Sequence, residues 1–171
     1  MQTNLVTLVE DVVQIVSKVS DYRSTPITVV TNEEVIASIN PQEIRQVVLN
    51  LLTNALQSLD GSGSVRIDVT KSAENSTIRV VDNGCGMSPE VKRNLFEPFF
   101  TQRRNGGGTG LGLSISRRIV MQHGGSLQAH SGGEGTGSTL ELSLPNTNQA
   151  DLKERLEKNK HGLENERVTA A

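Results

Sequence analysis

Residues 40–59 constrain the fold more than any other stretch of the sequence. Asn40 is a good N-cap, Pro41 suits the first helical position, and Glu43 puts an acid in the first turn. Ile44, Val47, Val48, Leu51, Leu52, Ala55, Leu56 and Leu59 then form an uninterrupted apolar stripe, which Asp60-Gly61 stops. This is the strongest helix of the chain. Its opposite side carries Gln46, Asn50, Asn54 and Gln57, at spacings of four, four and three. A solvated helix face normally carries Lys and Glu, because Asn costs about 0.5 kcal/mol per position relative to Ala. Two readings stand: a plain wet face, or neutral amides pointing into a site where they ligate a metal or touch phosphate without adding charge.

The other elements follow from periodicity. Leu5, Leu8, Val9, Val12, Val13 and Val16 predict a helix over 4–19. Ile27 and Val29 predict a strand, and Val35 to Ile39 a second one pairing with it across Thr31-Asn32. Residues 64–70 and 76–82 alternate as an antiparallel hairpin ending in Asp82-Asn83-Gly84-Cys85-Gly86-Met87. That ending is either an ordinary turn or a sharp backbone turn beside a ligand. Cys85, with no second Cys and no nearby His, reads as a small packed residue. Ser88-Pro89-Glu90 starts a short helix to about Asn94. All three phenylalanines follow, at 96, 99 and 100, as a plug anchoring a mobile loop or as a satellite core cluster.

Gly106, Gly107, Gly108, Thr109, Gly110, Leu111, Gly112 and Leu113 lead into a helix over 112–123. A glycine turn before a helix N-terminus offers free N–H groups and a positive dipole end to a phosphate chain. A linker explains the glycines equally well when they stand alone. His123 at the far end reads as a capping residue rather than a catalyst. Strands at Leu127 and Ala129 and at Leu140, Leu142 and Leu144 close the domain, joined by a turn rich in glycine.

The order α-β-β-α-β-β-α-loop-α-β-β predicts an α+β fold, one sheet layered under helices. The glycine run follows a long loop rather than a strand, which argues against a dinucleotide fold, and no G-x-x-x-x-G-K-[ST] is present. The domain is expected over 1–146. Residues 147–171 are expected as a charged tail, helical or disordered, because 151–171 hold five charges of each sign and few apolar residues. The net charge of −2 gives no general affinity for nucleic acid or anionic membrane. One cysteine excludes an internal disulfide framework, and no apolar run approaches the ~18 residues of a membrane span. With no signal-peptide pattern, the expected location is cytoplasmic.

Four motifs carry a resemblance: Asn50-x-x-x-Asn54-Ala55, Asp82-x-Gly84-x-Gly86-Met87, Phe96-Glu97-Pro98-Phe99-Phe100, and Gly108-Thr109-Gly110-Leu111-Gly112-Leu113. In order and spacing they resemble the N, G1, F and G2 boxes of sensor histidine kinases, in the GHKL ATPase/kinase superfamily. The resemblance covers about residues 5–145. Leu56-Gln57-Ser58-Leu59 and Glu97-Pro98-Phe99-Phe100-Thr101 look most like the nitrogen-regulation type. The resemblance implies a Bergerat-type two-layer α/β sandwich, a mixed and mostly antiparallel sheet with helices on one face.

It also implies ATP and Mg²⁺ as cofactors and assigns roles. Asn50 and Asn54 would be the catalytic pair, with Asn54 on the metal. Asp82 would accept from the adenine amino group, with Gly86 allowing close approach of the base and Gly84 also in the nucleotide site, and Ser138 or Thr139 would add a water-mediated contact. Residues from about Leu95 to Gly110 would form the ATP lid. The N–H groups of Gly108, Thr109, Gly110, Leu111, Gly112 and Leu113 would hold the phosphates, with Arg103 or Arg104 replacing a lysine often found in the lid. Hydrolysing relatives carry Glu where this chain has Asn50, and Asn cannot activate water.

The sequence departs from the family pattern in three ways. Gln57 stands where many kinases have Lys, and Leu140 replaces a frequent Phe. None of His123, His130 and His161 lies in a phosphoacceptor context. The expectation is a catalytic domain without its dimerisation and acceptor domain, either excised or from a naturally split kinase. Its partners would be that domain, in cis or in trans, and a response regulator. The alternative is an ATP-binding module that transfers nothing, or a serine kinase of the anti-sigma kind.

Overall fold

The computed structural model describes residues 1–59, 61–101 and 109–146. Arg103, Arg104, Gly108, His161 and the 147–171 tail lie outside the described residues.

The chain runs β1 (Gln2–Asn4), α1 (Leu5–Val16), β2 (Ile27–Val30), β3 (Ile36–Ser38), α2 (Pro41–Ser58), β4 (Val65–Lys71), β5 (Asn75–Asp82), α3 (Pro89–Asn94), α4 (Gly112–Gln122), β6 (Ser126–His130) and β7 (Ser138–Pro145). Five strands form one sheet in the order β2-β4-β5-β7-β6. β2 and β4 are parallel, and the remaining pairs are antiparallel. The mixed, mostly antiparallel sheet expected from the sequence is therefore present.

One expected pairing is wrong. β3 does not pair with β2 but with β1, a three-residue strand that periodicity could not reveal. β1 and β3 bracket α1: Leu5 N–H donates to the Val35 carbonyl at 2.8 Å, and Asn4 Oδ1 accepts from Val6 N–H at 2.9 Å to cap the helix. With β3 held there, β2 is left to take β4 as its neighbour. The connection between them passes through α2, as a parallel pair requires.

Strand alternation decides which face meets the helices. Val65, Ile67, Val69, Ile78, Val80, Leu140, Leu142 and Leu144 are all buried. The other face carries charge, including an Arg79–Glu141 ion pair at 3.2 Å between β5 and β7. The α2 stripe lies on β4 and β5, and α4 lies on β6 and β7. Ile44, Val47, Val48, Leu51 and Leu52 are fully buried, so the apolar half of α2 is core.

α2 and α4 are tied at one end. Asn40 Oδ1 accepts from Gln42 N–H at 3.1 Å, and Asn40 N–H donates to His123 Nε2 at 3.1 Å. Nε2 accepts, so Nδ1 carries the proton and donates to the Ile119 carbonyl at 2.9 Å. His123 is thus a buried cap joining both helices. Asn40→Ala is expected to cost about 1 kcal/mol, read from the urea midpoint.

Candidate functional site

The polar side of α2, the end of β5 and the start of α4 enclose a cleft of about 500 Å³. Asn50, Thr53, Asn54, Gln57 and Ser58 line one wall. Met87, Val91, Leu95, Phe100 and Leu140 supply apolar surface, and Thr109, Gly110, Gly112 and Leu113 come from the glycine run. The amide face of α2 is therefore a site wall and not a wet face. Gln46 is exposed and outside it.

Asp82 ends β5 inside the cleft, 7% exposed. Its Oδ1 accepts from Gly84 N–H at 2.9 Å and from the Ser58 hydroxyl at 2.8 Å. Its Oδ2 has no partner among the described residues and remains available to a donor in the cleft. Gly84 stays behind this wall, where a Cβ would strike the Ser58 hydroxyl and backbone. Gly86, at φ +69°, lines the cleft with its Cα against the Gly133 carbonyl. Only glycine fits either position without displacing backbone or Ser58.

The 132–137 turn clamps this loop from the far side. Gly135 N–H donates to the Cys85 carbonyl at 2.7 Å and Gly137 N–H to the Gly84 carbonyl at 3.1 Å. Ser131 Oγ accepts from Met87 N–H at 3.0 Å. Between two glycines so held, Cys85 turns outward. It is exposed at the cleft and not packed, contrary to the sequence reading.

The two asparagines are bonded to each other. Asn54 Nδ2 donates to the Asn50 backbone carbonyl at 2.8 Å and to Asn50 Oδ1 at 3.3 Å. Asn50 Nδ2 donates to Ser116 Oγ at 2.9 Å. Gly112 sits so close that a Cβ there would collide with Asn50 Oδ1. The N-cap residue of α4, Leu111, makes no side-chain cap, so the first N–H groups of this helix are left for another acceptor. Leu111 itself does not line the cleft.

Phe99 N–H donates to the Gly110 carbonyl at 2.9 Å, pinning together the chain on either side of residues 102–108. Phe96 and Phe100 pack against the core, with the Arg117 guanidinium 5.3 Å from the Phe96 ring centroid. Phe99 is 75% exposed, so two of the three phenylalanines form the plug and the third does not.

Ser138 lies opposite Asp82 in the β5–β7 register and lines the cleft. Thr139, one residue on, projects from the other face and lines a separate depression, so of the pair only Ser138 reaches the site. Ser58 and Ser116 were not identified from the sequence. Ser58 follows Asn54 by four and shares its helix face. Ser116 carries no sequence signal.

A mixed sheet covered on one face by helices, with a cleft walled by amides, a strand-end carboxylate and an uncapped helix start after glycines, defines an α/β sandwich whose cleft suits a nucleotide. Residues 39–148 match the model described as histidine kinase-, DNA gyrase B- and HSP90-like ATPase. The chain belongs to that family. It is 36% identical over 145 residues to the sensor histidine kinase ZraS of Escherichia coli K12, covering 83% of this chain and 30% of that protein. Nitrogen regulation protein NtrY of Azorhizobium caulinodans is 33% identical over 108 residues, covering 59% and 14%. The solved catalytic domain of histidine kinase ThkA superposes with a TM-score of 0.75 at 27% identity, covering 86% of this chain and 97% of that one. The chain spans less than a third of the length of these two sensor proteins. The family and fold implied by the four motifs both hold.

Proposed function

We propose that the cleft binds ATP with Mg²⁺ and presents the γ-phosphate to a histidine of a dimerisation and phosphoacceptor domain, in the same polypeptide or another chain. A response regulator in the cytoplasm would then take the phosphoryl group. Residues 1–146 would form the catalytic unit and 147–171 a separate tail.

One observation carries this reading. Among the described residues lining the cleft, Asp82 is the only carboxylate and none is a histidine. Asp82 accepts from Ser58 and Gly84 through its Oδ1. At position 50, where a base would have to stand, an amide is engaged with Ser116 and Asn54. An amide at that position cannot deprotonate a water, whereas phosphoryl transfer to an external nucleophile needs only positioning and charge neutralisation.

The residues have matching roles. Asp82 Oδ2 would accept from the adenine amino group, with Ser138 beside it. The N–H groups of Thr109, Gly110, Gly112 and Leu113, with Gly108 and Arg103, would meet the phosphates. Asn54 Oδ1 makes no hydrogen bond among the described residues, and a neutral amide oxygen suits a hard cation. No cluster of three or more His, Cys, Asp or Glu exists among the described residues. A cation here would therefore rely on waters and phosphate oxygens, as Mg²⁺ commonly does. When bound, Mg²⁺ would offset the phosphate charge.

The test mixes the chain with a separate acceptor hairpin of the sensor-kinase type and γ-labelled ATP. Label on the hairpin that is acid-labile and base-stable is the expected result. Nucleotide binding without transfer to any histidine would leave a regulatory module, and label on serine would indicate a serine kinase.

A further inference from the structure

We propose that Ser116 is a positioning residue that orients the cation-binding oxygen of Asn54 through Asn50. The proposal rests on the reading of the cleft as a site for ATP with Mg²⁺.

The Asn50 backbone carbonyl can only accept, so the Asn54 atom 2.8 Å from it must be the amide nitrogen. The same nitrogen reaches the Asn50 side chain at 3.3 Å and there needs an acceptor, so Asn50 turns Oδ1 toward it. That leaves Asn50 Nδ2 on the other side, where it must find an acceptor in its turn. Ser116 Oγ stands there at 2.9 Å. Ser116 is 2% exposed, in the second turn of α4, so water does not readily replace it. Both Asn54 donors are then committed to the protein, and only its oxygen is offered to the cleft.

This relay joins two elements. Ser116 and Gly112 belong to α4, and Gly112 packs directly on Asn50 Oδ1. The asparagines belong to α2. The seating of the first turns of α4 therefore fixes which way the α2 amides face. If Ser116 offered no acceptor, Asn50 would gain by turning its amide to seek another one. It would then present N–H groups to Asn54, and the Asn54 oxygen would lose its fixed direction. Partners that orient a metal ligand in this way are typically worth about 10- to 100-fold in metal affinity.

Ser116→Ala is the decisive variant, with ATP affinity measured by calorimetry in EDTA and across a Mg²⁺ titration. The expected result is unchanged affinity in EDTA and about a 10-fold rise in the Mg²⁺ concentration that half-saturates the tightening. An unaltered Mg²⁺ response overturns the proposal. So does a proportional loss with and without Mg²⁺, which would mean a packing role only. Ser116→Thr and Ser116→Val provide a second comparison of nearly equal shape. Thr should keep the response of the unmodified chain and Val should shift it; identical behaviour overturns the proposal. Failure of the unmodified chain to bind ATP under either condition would instead reject the reading of the cleft itself.

Discussion

Asp82→Asn is expected to weaken ATP binding by about 100-fold and to leave the unfolding midpoint nearly unchanged. The two effects separate because the two carboxylate oxygens have different duties. Oδ1 accepts from the Gly84 N–H and the Ser58 hydroxyl, and an asparagine oxygen can accept both. The structural bonds survive. The other oxygen is replaced by an amide nitrogen, which turns a donor toward the adenine amino group. A donor facing a donor at a residue that is 7% exposed loses the bond and leaves both groups without water. About 2.7 kcal/mol corresponds to the 100-fold loss. Titration calorimetry with ATP and with GTP tests the polarity directly. The 6-oxo group of guanine accepts where adenine donates, so the variant should lose less affinity for GTP than for ATP. Equal affinity of variant and unmodified chain for ATP would remove Asp82 from the nucleotide site.

How much of this site was readable in the sequence depended on the range of the interaction. The amide face of α2 was visible because four polar residues at helical spacing sit opposite a stripe whose burial is certain. Their meaning was not, since the choice between wet face and site wall depends on what α4 brings against them. Ser116 shows the limit plainly. Which of Ser114 and Ser116 faces α2 is set by the rotation of one helix against another, and the hydroxyl at 116 meets Asn50 across 66 positions of sequence. The choice between Ser138 and Thr139 is readable from the alternation of β7. Leu140, Leu142 and Leu144 mark the buried face of β7, and a period of two carries that face back to Ser138. The pairing of β3 is hidden for a different reason. Proximity favoured a hairpin with β2, while the true partner, β1, is three residues long and lies before α1. The direction of Cys85 is not legible locally, because it is set by the glycines flanking it, which are themselves held by the 132–137 turn.

Gly110→Ala is expected to weaken ATP binding by about 10- to 100-fold, with the sheet and α2 unaffected. Gly110 has φ +67°, a conformation in which a Cβ is strained by about 1–2 kcal/mol. Space is the larger problem. A Cβ at Gly110 would lie 2.5 Å from the Phe99 carbonyl carbon and 2.7 Å from its Cα, and backbone atoms cannot swing aside as a side chain can. Phe99 is itself at φ +66° and bonded to the Gly110 carbonyl, so the two segments meet back to back. Relief comes only from separating them, which shifts the chain two residues before Gly112. Gly112 in turn rests on Asn50, and the uncapped N–H groups of α4 begin there. The disturbance therefore reaches the cleft without passing through the core. Gly61→Ala separates strain from contact. Gly61 has φ +72°, nothing within 4 Å of its added Cβ, and no place in the cleft. That variant should lose about 1 kcal/mol of stability and no ATP affinity. If Gly110→Ala behaves the same way, the glycines of this run are a linker. If affinity falls only at Gly110, the contact between Phe99 and Gly110 is what holds the start of α4 in register with the amides of α2.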